Sequence, residues 1–319
     1  FNAEPLSVTV LGNDVYVLGR GNGINGYNIL LWKNGVVTEI SNPAFNSSPV
    51  SIISNGTDIY ISGYETSGFN TSYQKKYWKN GVATSLSTGT TNSEGNSVFV
   101  LGTDVYVGGM EENSSSVKVA KIWKNGVATS LTNGLNPARA TSVYVSGTDV
   151  YVAGTEFNGV SNVAKVWKNG VATSITNGSF TANAYSVFVS GNDVYVSGRE
   201  HNGTRDVAKV WKNGVATTLG SGTNYSEANS VFVSGPDVAT SLTSSPFGGL
   251  ANSVYVLGTD VYVAGTKSSS GNNIATFWKN GVETVLSNGT NDAQALSVFA
   301  SGSDVYIAGY DGNDAKLWK

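Results

Sequence analysis

The stretch Ser142–Ile175, SVYVSGTDVYVAGTEFNGVSNVAKVWKNGVATSI, decides the fold. Four short runs in it are rich in Val, Tyr, Trp or Thr: Ser142–Ser146, Val150–Ala153, Val163–Trp167 and Val171–Ile175. Gly, Asn or Asp bounds each of them, the pattern of strands separated by turns. Gly-Thr-Asp separates the first pair and Lys-Asn-Gly the last pair. Asn-Gly is a strong hairpin signal, because the mirror-image turn that suits twisted strands needs positive φ. The stretch therefore reads as a four-stranded antiparallel meander, with strands A to D in order. Val143, Tyr144 and Val145 put bulk on both faces of strand A, so both faces must be buried.

The same unit recurs along the chain. Its turn Asp falls at Asp14, Asp58, Asp104, Asp149, Asp193, Asp237, Asp260 and Asp304, and its Trp at Trp32, Trp78, Trp123, Trp167, Trp211, Trp278 and Trp318. Four short strands in about 40–45 residues is the signature of a β-propeller blade. The expected fold is thus all-β, a single propeller over residues 1–319. Repeats fall at about 7–42, 51–88, 97–133, 142–177, 186–221, 253–288 and 297–319, and the last lacks its fourth strand. A stunted repeat at 229–243 reads as strands A and B running straight into strand D text, as if two strands were deleted. Deleting two strands keeps chain direction, which favours eight inner strands; seven blades with an inserted hairpin is the alternative.

Composition removes several function classes. The 319 residues carry 19 Lys+Arg and 22 Asp+Glu, a net charge of −3, which argues against a nucleic-acid partner. With no Cys there is no disulfide and no thiolate metal site; one His excludes a multi-His metal site. No cofactor or metal is expected. No apolar run approaches the ~18 residues of a membrane-spanning helix, and a membrane barrel would need strands of ~9–11 residues with clean alternation, so no membrane insertion is expected. The chain starts at Phe1 rather than Met and reads as processed or as a fragment.

Over essentially its whole length the chain resembles repeat β-propellers as a class. The period fits WD40, but Trp-Lys stands where that family has Trp-Asp, and the double glycine of kelch is missing. The W-K-N-G phrase is most similar to bacterial secreted propellers built from near-identical W-K-N-G repeats. That resemblance implies an extracellular or cell-surface protein and no particular chemistry.

Strand parity places the A–B and C–D turns on one face of the disc and the B–C and D–A loops on the other. The first set is nearly identical from repeat to repeat; the second differs in every repeat, as a diversified recognition face would. The Trp residues read as blade-to-blade packing and the turn Asp residues as turn caps. A second acidic set closes strand B (Glu65, Glu111, Glu156, Glu200 and Asp311), and each of those repeats carries a Lys in strand C (Lys76, Lys121, Lys165, Lys209 and Lys316). Their joint presence reads as cross-strand ion pairs. The non-repeating chemistry left over gives the candidate ligand-binding set: Arg139, Phe180, Tyr185, Arg199, His201, Arg205, Tyr225 and Glu227. On this reading the protein is a non-catalytic recognition or scaffold module, not an enzyme, that takes a glycan or a protein on its variable face. A structural subunit docking through open strand edges is the alternative. A propeller hydrolase or lyase, with His201, Asp206 and Glu227 as its acid–base cluster, is the third reading.

Overall fold

The computed structural model describes residues 3–66, 72–87, 91–219, 225–233, 249–269 and 271–319. Twenty-seven strands form seven antiparallel sheets, each a simple meander, and no helix occurs among the described residues. Blade 1 is β1 (Ala3–Leu11), β2 (Asp14–Gly23), β3 (Gly26–Lys33) and β4 (Val36–Glu39); blade 2 is β5 (Asn46–Ser54), β6 (Ile59–Thr66), β7 (Gln74–Lys79) and β8 (Val82–Ser85). Blade 3 is β9 (Ser93–Leu101), β10 (Asp104–Glu112), β11 (Lys118–Lys124) and β12 (Val127–Ser130); blade 4 is β13 (Ala138–Ser146), β14 (Asp149–Phe157), β15 (Asn162–Lys168) and β16 (Val171–Ser174). Blade 5 is β17 (Ala182–Ser190), β18 (Asp193–His201), β19 (Asp206–Lys212) and β20 (Val215–Thr218). Blade 6 is β21 (Gly249–Leu257), β22 (Asp260–Ser268), β23 (Asn273–Lys279) and β24 (Val282–Val285), and blade 7 has three strands, β25 (Ala293–Ser301), β26 (Asp304–Asp311) and β27 (Asp314–Trp318).

The fold is a seven-bladed β-propeller. From blade 6 through blades 7, 1, 2, 3 and 4 to blade 5, strands A of successive blades touch around the axis, and the two ends of the chain come together where β1 meets β25. There the Val8 amide donates to Ser297 Oγ at 3.2 Å, and Val8 and Val17 pack on Ala308. The stunted repeat adds no sheet of its own among the described residues. Its described residues 229–233, with 225–228 just before them, lie between blades 5 and 6, where Ala228 makes one parallel bridge to Ala251. The Phe232 ring sits between Phe188 (4.4 Å) and Tyr255 (6.4 Å) in an arc of strand-A aromatics that also holds Phe99, Tyr144 and Phe299. Asp237 and the text that suggested a two-strand deletion lie outside the described residues.

Four of the Trp residues enter the interface with the blade before them. Trp78 packs on Leu18 and Ile29 of blade 1, Trp123 on Tyr60 and Leu86 of blade 2, Trp167 on Tyr106 and Ala120 of blade 3, and Trp211 on Tyr151 and Ala164 of blade 4. All four are at most 1% exposed. The Gly of strand B makes room for them: a Cβ on Gly154 would stand 3.0 Å from Trp167 Cζ3.

The W-K-N-G phrase is explained by a clip on the uniform face. Asn169 and Gly170 have φ of 50° and 83°, the left-handed pair that a mirror-image two-residue turn requires. Asn169 Nδ2 donates to Asp149 Oδ1 at 2.8 Å, Asn169 Oδ1 accepts from the Val150 amide at 2.8 Å, and Lys168 Nζ reaches Asp149 Oδ2 at 2.8 Å while lying over the Tyr151 ring. The C–D hairpin is thereby tied to the A–B hairpin. The expected turn-cap role of the Asp is structural as read, but its partners are these two side chains rather than its own turn. The Lys–Asp half of the clip recurs at Lys33–Asp14, Lys79–Asp58, Lys124–Asp104, Lys212–Asp193, Lys279–Asp260 and Lys319–Asp304.

These clips set an expected pH dependence. Hydrogen bonds from Lys168 and then Asn169 hold the Asp149 carboxyl below its ordinary value of 3.8, and the other six clip carboxyls shift the same way. A folded-state pKa below the unfolded one gives stability that is present above pH 3.8 and is lost as pH falls through the folded value. Lys168, hydrogen-bonded to Asp149, is raised above 10.5, so its contribution is present below that pH and lost as pH rises through the folded value. Thermal unfolding followed by circular dichroism should therefore give a Tm plateau with an acid arm beginning below pH 3.8 and an alkaline arm above 10.5. A Tm unchanged from about pH 5 to about pH 2 would contradict the clips.

Four of the five predicted strand B–strand C pairs form: Glu65–Lys76, Glu111–Lys121, Glu156–Lys165 at 2.6 Å and Glu200–Lys209 at 3.7 Å. The fifth does not. Lys316 turns to Asp314 at 3.5 Å, and Asp311 instead accepts from Asn291 Nδ2 at 3.4 Å. Asp311 is one methylene shorter than the Glu of the other repeats, and a diagonal partner in the sheet is at the limit of reach.

Candidate functional site

Strands A and B are longer than their apolar runs. In blade 4 they cover Ala138–Ser146 and Asp149–Phe157, and the register shifts between Ala140 and Ser142. The bulge lets the ladder continue past the hydrophobic segment toward the variable face. Residues that read as loop in the sequence are therefore held on strands: Arg139 on β13, Tyr185 on β17, Arg199 and His201 on β18. Phe180, Arg205, Tyr225 and Glu227 lie outside named strands.

Six of the eight candidates come together. Arg199 Nη1 donates to Glu227 Oε1 and to the Tyr225 hydroxyl, and it lies 3.1 Å from Asp206 Oδ2. The hydroxyls of Tyr225 and of Tyr185 (3.3 Å) donate to Glu227 Oε1. The Arg199 guanidinium lies 5.7 Å from the Tyr225 ring centre and 6.0 Å from that of Tyr185. His201 Nδ1 stands 3.0 Å from Asp206 Oδ1, and its ring is 6.2 Å from Phe180. Asp206 is thus shared between Arg199 and His201. Arg205 is exposed in the turn beyond and joins none of these contacts. Arg139 stands in blade 4, a strand away, where it lines the pocket described below.

Burial, and then the Glu227 charge, pushes the Tyr185 hydroxyl far above its ordinary value. Burial and a hydrogen bond to Glu227 push Tyr225 up to about 12. Both therefore remain protonated near neutrality and serve as donors. Burial pulls Arg199 down, but the surrounding Tyr185, Glu227 and Asp206 outweigh it and hold it above its ordinary value. Glu227, accepting from three groups, is an anchor for Arg199 rather than a free acid. The acid–base cluster suggested by the sequence reduces to His201 and Asp206. A carboxylate only accepts, so Nδ1 of a neutral His201 carries the proton and Nε2 is left as a proton acceptor.

Beside this cluster a pocket of about 550 Å³ opens on the variable face between blades 3, 4 and 5. Asn96 and Lys118 line it from blade 3; Pro137, Ala138, Arg139, Thr141, Thr155 and Asn162 from blade 4; Asn183, Tyr185 and Arg199 from blade 5. Most of these were not singled out from the sequence. The missed signal is positional. Arg139 pairs with Thr155 and Asn183 with Arg199, each joining the second residue before the bulged position to the residue just after the strand B Gly. The latter position reads Arg20, Tyr64, Met110, Thr155, Arg199, Thr266 and Tyr310 around the ring, four residue types in seven blades although the neighbouring Gly is constant. Among the described residues no group of three or more His, Asp or Glu is placed to hold a metal ion.

No protein-family model and no curated protein sequence matches the chain. Solved structures do. A Mycobacterium tuberculosis puromycin-hydrolyzing peptidase matches with a TM-score of 0.57 at 12% identity, over 96% of this chain and 49% of that one. A Pyrococcus horikoshii acylaminoacyl peptidase matches with a TM-score of 0.53 at 10% identity, over 99% and 51%. The β-propeller domain of the Trilobed protease from Pyrococcus furiosus matches with a TM-score of 0.54 at 9% identity, over 99% and 92%. At these identities the likeness is one of fold. The chain spans about half the length of the two peptidases it matches.

The expectations of a non-catalytic recognition or scaffold module, and of no enzymatic role, are corrected by these matches. The similar propellers belong to peptidases. The structural roles of the repeat carboxylates describe how blades are held together and do not exclude hydrolysis.

Proposed function

We propose that this chain is the substrate-admitting propeller of a peptide hydrolase, with the pocket between blades 3, 4 and 5 as the place where peptide enters. The observation that carries the reading is the pocket itself: about 550 Å³, on the face whose connections differ from blade to blade, and within the ~300–1,000 Å³ of small-ligand sites. The peptidase propellers it resembles supply the reaction class. The rigid placement of Arg139, Tyr185 and Arg199 on strands supports a preformed site rather than one that orders on binding. The His201–Asp206 pair stands next to it as a proton acceptor. The W-K-N-G repeats support grouping the chain with bacterial secreted propellers, which would place this activity outside the cell.

The test is binding of a fluorescent peptide library to the native protein. Binding is expected, and Asn162→Trp, which fills the pocket rim, should weaken it about tenfold or more, because it removes the room the peptide needs. Absence of peptide binding at micromolar concentration would overturn the reading.

A further inference from the structure

In every blade the ladder between strands A and B skips one residue of strand A. In blades 3, 4, 5 and 6 it is Asn96, Thr141, Tyr185 and Asn252; in blades 7, 1 and 2 it is Leu296, Leu6 and Val50. Asn96, Thr141 and Tyr185 all line the pocket, so the skipped residues form the rim of the axis on the variable face. Three of the polar ones tie successive blades there. Asn96 Nδ2 donates to the Ala140 carbonyl at 2.7 Å, Thr141 Oγ1 to that of Ala184 at 2.8 Å, and Asn252 Nδ2 to that of Ala295 at 2.9 Å. Each acceptor is the residue just before the skipped one in the next blade. From blade 7 through blades 1 and 2 to blade 3 this tie is missing, because Leu and Val have no side-chain donor. Leu296, Leu6 and Val50 are half-buried, yet among the described residues none of them belongs to a packed apolar cluster between blades. Three junctions in a row thus forgo a hydrogen bond and gain no core packing for it. In a seven-bladed ring, blade 4 at the centre of the pocket faces the junction of blades 7 and 1 across the axis. The apolar arc is therefore the far side of the mouth onto which the pocket opens.

We propose that Leu6, Val50 and Leu296 form an apolar wall that selects peptides carrying a large apolar side chain. The proposal rests on the peptide reading above and adds its substrate class. A peptide whose backbone lies along the polar arc of the pocket turns a side chain across the axis toward this wall. A leucine there removes apolar surface of both partners from water. An asparagine of nearly the same size would give up its hydration with nothing on the wall to bond, and an alanine would leave the wall wet.

The repeats themselves supply the variant that tests this. Asn stands at the skipped position in blades 3 and 6, so Leu6→Asn combined with Leu296→Asn copies a residue the fold already carries there. Its amides are placed to donate to the Pro49 and Pro5 carbonyls as Asn96 and Asn252 do to theirs, so Tm should not fall. The measurement is fluorescence anisotropy with three pools of the peptide library, with leucine, alanine or asparagine fixed at the central position. The leucine pool should bind the native protein about tenfold or more tightly than either of the others. In the double variant the three pools should bind within about twofold of one another, with the affinity of the alanine pool unchanged. Ile24→Asn, which removes an exposed apolar side chain from the turn between β2 and β3, should keep the full preference. Equal binding of the three pools by the native protein overturns the wall and leaves the peptide reading standing. So does a leucine preference that survives in the double variant. Failure of all three pools to bind defeats the peptide reading itself, and the wall falls with it.

Discussion

Trp167→Ala should destabilise the protein by about 3–5 kcal/mol, the cost of emptying a large aromatic site in a close-packed interior. Trp167 is fully buried and is enclosed by Tyr106 and Ala120 of blade 3 and by Ala138, Ala140 and Val143 of its own blade. It is therefore a joint between two blades rather than ballast within one. Ala138 and Arg139 follow one another on the strand that covers it, so the cavity would also loosen the pocket wall. Equilibrium unfolding in guanidinium chloride measures the loss. The equivalent change at Trp32, only partly buried where blade 1 closes on blade 7, should cost less, because part of that ring already faces water. A loss below about 1 kcal/mol at Trp167 would mean the blades are not held by this contact.

Gly154→Ala should cost about 3 kcal/mol or more, at the top of the range for overpacking. A Cβ there would stand 2.1 Å from the Arg139 carbonyl oxygen and 3.0 Å from both Ala140 Cα and Trp167 Cζ3. Two of those neighbours are backbone and the third is a buried ring, so none can yield cheaply. Since the Arg139 backbone must move for the methyl group to fit, the same variant should also weaken peptide binding in the pocket. Gly108→Ala, one residue before the constant strand B Gly of blade 3, is the control. Its Cβ would meet nothing nearer than 3.8 Å, so the change should fall within about 0.5 kcal/mol of neutral. Similar losses at Gly154 and Gly108 would show that strand B glycines act through backbone entropy and not through contact with Trp.

Much of the candidate site was legible as residues and little of it as geometry. Arg199, Tyr185, Tyr225 and Glu227 stand out because they depart from repeats that are otherwise uniform, and they do meet. Lys118, Asn96 and Asn183 do not stand out. Each is unremarkable in its own repeat and matters only because three blades bring their edges together. Arg139 and Arg205 were equivalent as sequence. The bulge between Ala140 and Ser142 carries Arg139 on a strand into the pocket wall, while Arg205 is left exposed in a turn. Asp311 and Lys316 looked like a fifth ion pair because pairing was inferred from co-occurrence, and one methylene of reach separates co-occurrence from contact.

By itself the sequence determined the all-β architecture, the meander in each blade, the burial of the tryptophans and the division of turns between two faces. Each of these follows from interactions within one repeat, such as strand period, Asn-Gly turns and the Lys–Asn–Asp clip, and six of the seven blades carry all of them. Only the tertiary structure decided the blade number, since the segment at 225–233, which holds the start of the stunted repeat, lies against the neighbouring inner strands instead of forming a sheet. It alone decided which cations share a pocket. That pocket is bounded by residues from Asn96 to Arg199, brought side by side by ring closure, and long-range proximity of that kind leaves no local pattern in the chain.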